Sequence, residues 1–128
     1  MNSNATPQKN TSASADPIID WRLLQERYSG KTALIERIIQ AAHKAYQTTP
    51  QQLRQAVQQQ DLDTLFQIAH GLKSAAGNLE AKQLYDSAIM ILDNVRSNHG
   101  VALQVANELC VQLERFNAEI DAKLRKDG

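Results

Sequence analysis

Apolar residues recur at three- and four-residue intervals along most of this chain, and between Asp16 and Lys126 no strand-like alternation interrupts them. Leu34, Ile35, Ile38, Ile39, Ala42, Ala45 and Tyr46 form one face of a helix opening near Thr32. Asp61 is placed to cap a central helix running to about Gly77. A further helix is expected over 80–98, with Leu84, Tyr85, Ala88, Ile91, Leu92 and Val95 inward. His99-Gly100 is read as the next turn, and Val105, Leu109, Leu113, Phe116, Ile120 and Leu124 then recur about once per turn in a last helix. Two shorter segments complete the set. Asp16-Pro17 reads as an N-cap with a first-turn proline, opening a helix through Trp21, Leu24 and Tyr28 that stops at Gly30. Thr49-Pro50 repeats that signal before a short helix through Leu53, Ala56 and Val57, whose glutamine-rich surface reads as a solvated face. The predicted class is all-α. Four long helices with short connections imply an up-down-up-down antiparallel four-helix bundle, with the short N-terminal helices packed as extras.

Composition narrows the function. The 128 residues suit one domain. Residues 1–15 are dominated by Asn, Ser, Thr, Ala, Pro and Gln and have almost no large apolar side chain. They are expected to form a disordered tail or linker, leaving 16–126 as the folded domain. They lack the apolar core of a secretion signal, and no run is long enough to span a bilayer. Lys plus Arg and Asp plus Glu are balanced at 14 each, so no net field recruits nucleic acid or an anionic membrane. The single cysteine, Cys110, sits among apolar residues and is expected to be a reduced core thiol. Three scattered histidines without metal-ligand spacing argue against a dedicated metal site.

The central helix carries the candidate chemistry. On a wheel at about 100° per residue, Leu62, Leu65, Ile68, Ala69, Leu72, Ala75 and Ala76 fall opposite His70. The exposed stripe therefore reads Asp63, Gln67, His70, Ser74, Gly77, with Lys73 beside it. Ser74 and Gly77 are small, so another protein could come down flat on the helix and reach the imidazole. Gly77 could instead end the helix, since Asn78 follows.

A neutral imidazole is a nucleophile near neutral pH. Phosphoryl transfer needs in-line positioning and positive charge near the equatorial oxygens, which Lys73 can supply. Ser74 or Gln67 could donate hydrogen bonds to the ring or to phosphoryl oxygens. There is no Gly-rich phosphate loop and no acidic cluster for Mg²⁺, so the chain could hold a phosphoryl group but not take one from ATP unaided. The plainer alternative is that a lone histidine on a helix surface is only a surface histidine. His43, at a helix flank, and His99, in a turn, take that reading outright.

The stretch AHGLKSAAGNL, residues 69–79, closely resembles the signature of histidine-containing phosphotransfer (HPt) domains. Ala69, His70, Leu72, Lys73, Ala76, Gly77 and Leu79 carry the match, with supporting positions at Leu53, Ala56, Asp61, Leu62, Leu65, Ala81 and Leu84. Two positions depart: the family most often has glycine where Ser74 and Glu80 stand. The resemblance implies a cytoplasmic, monomeric carrier in a two-component phosphorelay. His70 would accept a phosphoryl group from a receiver-domain aspartate and pass it to another. Lys73 would stabilise that group, while Gln67, Ser74 and Gly77 would meet the partner. No cofactor is implied for the chain itself; Mg²⁺ would come with the response-regulator receiver domains. The polar segment before Asp16 would suit a linker from a preceding domain, as in the C-terminal module of a hybrid sensor histidine kinase. Two rivals stand beside this reading. One is a phosphorylation-independent helical adaptor. The other is a kinase dimerisation module, which also exposes a histidine but works with a paired hairpin and an ATPase domain.

Overall fold

The three-four spacing becomes six α-helices in the computed structural model, which describes residues 16–127. They are α1 (Trp21–Arg27), α2 (Thr32–Tyr46), α3 (Thr49–Gln59), α4 (Leu62–Asn78), α5 (Lys82–Asn94) and α6 (His99–Asp127). No strand occurs among the described residues. The segment expected as a tail or linker, residues 1–15, lies outside them. No helix among them is long and apolar enough to cross a membrane.

The helices form a bundle around one continuous apolar core that extends from Ile18 to Ile120. α4 packs on α5, α5 on α6, and α6 receives α2 and α3. At the centre of α6, Phe116 is fully buried and meets the edge of Tyr46 from α2, with ring centroids 6.5 Å apart. Ser87 Oγ donates to Gln112 Oε1 at 2.9 Å, a polar link between α5 and α6. Cys110 is a buried free thiol that donates to the Pro50 carbonyl, and burial pushes its pKa up. α3 is no peripheral extra: Leu53 and Ala56 are buried, and the helix packs against both α4 and α6.

Helix ends differ from the sequence reading for identifiable reasons. α1 does not begin at Asp16-Pro17. The Ile18 and Ile19 amides instead donate to the Glu119 carboxylate of α6, so this segment is held across the bundle. Asp20 then caps α1, accepting from the Leu23 amide at 3.1 Å. At α3 the cap position belongs to Thr48, and Thr49 is already helical and buried. α5 covers Lys82–Asn94 rather than 80–98, and a turn follows at 95–97. His99 is the first residue of α6 rather than part of the turn; Asn98 caps that helix by accepting from the Val101 amide.

Gly77 does not end α4. The helix runs on to Asn78, and the left-handed residue is Glu80, at φ 55°. The Ala81 amide donates to the Ala76 carbonyl and the Glu80 amide to that of Gly77, which satisfies carbonyls that would otherwise be orphaned at the helix end. This explains why glycine suits position 80: left-handed backbone is free of strain only there.

Asp61 caps α4 as expected. Its carboxylate accepts from the Thr64 hydroxyl at 2.6 Å and the Thr64 amide at 3.1 Å. Those two bonds, the hydroxyl first, hold its pKa below the ordinary 3.8. A carboxylate depressed in the folded state stabilises above its unfolded pKa, and that contribution is lost as pH falls through the folded value. Asp61→Asn keeps a capping oxygen without the titration. The variant is expected to show a smaller drop in thermal midpoint between pH 7 and pH 3 than the parent; an unchanged drop would remove Asp61 from the acid response.

Candidate functional site

α4 is apolar on one side and open on the other. Leu65, Ala69, Leu72 and Ala76 are buried, at 0–1% exposure, against the neighbouring helices. That spine fixes the helix rotation, so Asp63, Gln67, His70, Lys73 and Ser74 all reach solvent. The wheel's assignment of faces therefore holds in the fold.

His70 opens onto a depression of about 470 Å³, shared on its own helix with Lys73, Ser74 and Gly77. Three of the four positions expected around the imidazole are thus brought together. Gln67 is not among them. It lies on the other flank, where it lines a separate hollow with Asp63, Phe66 and Arg96.

Two further elements reach the depression. Arg27 ends α1, and Tyr85 projects from the first turns of α5. Arg27 Nη1 meets Glu80 Oε2 at 2.9 Å, and Nη2 donates to Asn78 Oδ1 at 3.2 Å. The Glu80 side chain keeps the guanidinium pKa above its usual value. Arg27 is exposed and Glu80 half-buried, so solvent screens the pair; what it does is fix the guanidinium beside the histidine's helix. The Tyr28 hydroxyl donates to the Asn78 carbonyl at 3.1 Å, a second tie between the end of α1 and the end of α4. Glu80, a departure from the HPt pattern, is therefore the residue that holds Arg27.

Sequence spacing did not signal Arg27, because nothing periodic links the end of α1 to α4. Tyr85 was expected inward with Leu84. Instead it is 37% exposed, and with Leu23 it rims an adjoining hollow that also takes in Gly77. Phe66 was assigned to neither face. It lies one turn before His70, and the two rings stack at 5.8 Å between centroids and 20° between planes. Among the described residues no group of three or more His, Cys, Asp or Glu side chains converges as a metal site would need.

The arrangement offers a solvent-facing imidazole, two cations and small residues at Ser74 and Gly77. Nothing there resembles an enclosed pocket for a small substrate. The chemistry it suits is attack on an electrophile delivered by another macromolecule, with positive charge nearby to receive an anionic group.

A Cβ at Gly77 would lie 3.7 Å from Tyr85 Cδ1, ordinary contact distance. The glycine thus clears the depression without being required by packing. Gly77→Ala is expected to raise stability by up to about 1 kcal/mol, the helix-interior difference between the two residues. Chemical denaturation checks this; a loss of stability would mean that Tyr85 cannot accommodate even a methyl group.

Residues 37–124, more than two thirds of the chain, match the family model of the Hpt domain. Comparisons with curated proteins and with solved structures returned no match. The matched span begins inside α2, so it includes His70, Lys73, Ser74 and Gly77 and leaves out α1 with Arg27. An all-helical bundle whose central helix exposes a histidine, together with a match of this extent, places the chain in the Hpt domain family.

Proposed function

We propose that His70 is the phospho-acceptor of a phosphorelay carrier. Hpt domains are phosphocarriers of two-component signalling and work with receiver domains of response regulators. The observation that carries the assignment to His70 is its exposure on a helix whose opposite side is locked into the core, beside Lys73 and Arg27.

In the forward step a lone pair on an imidazole nitrogen of His70 attacks the phosphorus of an aspartyl phosphate on the receiver. The phosphorus–oxygen bond of the acyl phosphate breaks, and the aspartate carboxylate leaves with its electron pair. The other ring nitrogen keeps its proton, so the ring becomes cationic while the phosphoryl group stays dianionic. The reverse step onto a second receiver regenerates the neutral imidazole. Lys73 and Arg27 offset the charge gathered on the equatorial oxygens. Ser74 and Gly77 leave room for the partner to approach, and Gln67 meets it on the other flank. Mg²⁺ belongs to the receiver. Directional flow follows from which receiver arrives charged.

The short connections and the packing order support an up-down-up-down antiparallel four-helix bundle of α3, α4, α5 and α6 as the frame, with α1 and α2 as the N-terminal additions and with 16–126 as the domain. The chain would work as a cytoplasmic monomer, with residues 1–15 as a tail or as the linker of a hybrid sensor histidine kinase. The alternative function is an adaptor that uses the same face without phosphorylation; it would keep its partner after His70→Gln.

A receiver domain charged with acetyl phosphate is expected to transfer an acid-labile, alkali-stable phosphate to the chain and none to His70→Gln. Equal labelling of that variant would overturn the assignment. Lys73→Ala is expected to slow transfer about tenfold or more, as loss of a preorganised charge contact does, with helix content unchanged by circular dichroism. An unaltered rate would remove Lys73 from the mechanism.

A further inference from the structure

Phe66 is a large aromatic side chain that contributes little to the core. It is only partly buried, and it is absent from the apolar residues packed against the central cluster. Instead it contacts two charged or titratable groups. One is His70, stacked at 5.8 Å and 20°. The other is Arg96, in the turn after α5, whose guanidinium carbon lies over the ring, 6.0 Å from its centroid.

His70 itself is short of constraints. Among the described residues its side chain accepts and donates no hydrogen bond; its one ring contact is Phe66. An imidazole on an exposed helix position would otherwise distribute among staggered χ1 and χ2 wells. In-line attack on phosphorus needs one of them.

We infer that Phe66 is the positioning residue for the phosphotransfer nucleophile, holding the His70 ring in one orientation by stacking; this rests on the carrier reading of His70. The stack is of the offset, near-parallel kind that aromatic pairs favour. Arg96, lying over Phe66, limits the freedom of the aromatic side chain in turn. The chain thus replaces a hydrogen bond to the imidazole with a three-member stack along one side of α4 and across to the end of α5.

The test compares the parent chain with Phe66→Leu, which keeps apolar bulk but removes the π face, and Phe66→Tyr, which restores it. The phosphoryl donor is phosphoramidate. Its phosphorus–nitrogen bond breaks as the imidazole attacks, with ammonia leaving, and no partner docking is involved. Proton NMR should show nuclear Overhauser contacts between the His70 and Phe66 rings and ring-current shifts of the His70 protons in the parent. In Phe66→Leu those shifts should collapse, and His70 phosphorylation should slow roughly threefold, the ratio of three rotamer wells to one. Phe66→Tyr should retain both. Absent ring contacts in the parent, a Phe66→Leu rate equal to the parent's, or equal slowing in both variants would overturn the proposal. Failure of receiver transfer with the phosphoramidate result intact would overturn the carrier reading and leave the positioning role standing as a property of the ring.

Discussion

The buried spine of Leu65, Ala69, Leu72 and Ala76 is the constraint from which the rest of the site follows. A helix with one strip locked into the core cannot rotate, and so the residues on its opposite strip have their bearings set by packing rather than by local contacts. Two of the four spine residues are alanines. They let α5 and the other neighbours approach closely, which keeps the helix axis steady as well as its rotation. His70 is therefore mounted on a helix whose rotation is fixed by the core, and it faces solvent. Under the proposed carrier role, such a mounting would need no rebuilding between one partner and the next.

Around this helix the protein assembles charge from separate places. Lys73 comes from the same turn as Ser74, a direct product of helical spacing. Arg27 arrives from α1 and is held by Glu80 and Asn78 at the far end of α4. The corner between α4 and α5 thus does two jobs. Its left-handed residue closes the helix, and the side chain of that same residue secures the neighbouring cation. Position 80 shows how a local backbone demand and a distant electrostatic one can fall on a single residue, with glutamate accepting strain that glycine would avoid.

How much was legible in the sequence depends on the range of the interaction. The helical class, the Asp61 cap and the two faces of α4 rest on spacings of three and four residues, which a linear pattern carries in full. The grouping of His70, Lys73, Ser74 and Gly77 follows for the same reason. Gln67 also satisfied the wheel, but the hollow it lines is closed by Val95, Arg96 and His99, whereas the one at His70 is closed by Arg27 and Tyr85, and a wheel for one helix says nothing of its neighbours. The start of α1 was misplaced because the amides after Pro17 are claimed by Glu119, about a hundred residues away. Arg27 and Tyr85 were missed on the same principle: they become neighbours of His70 through tertiary packing alone. Phe66 was within reach, since it is four residues before His70, and aromatic pairs at that spacing meet on a helix.

The tethering of α1 has a consequence for how such a chain can diversify. This helix lies outside the residues matched by the family model, yet its Arg27 borders the depression at His70. Leu24 anchors the helix in the core, Glu119 holds the segment ahead of it, and Glu80 and Asn78 hold its last turn. Under the proposed role, substitutions at exposed positions of α1, Arg27 among them, would alter the charge and contour beside His70 without changing a residue of α4. In that role, selectivity for a partner and reactivity of the imidazole would sit on separable pieces of one small fold.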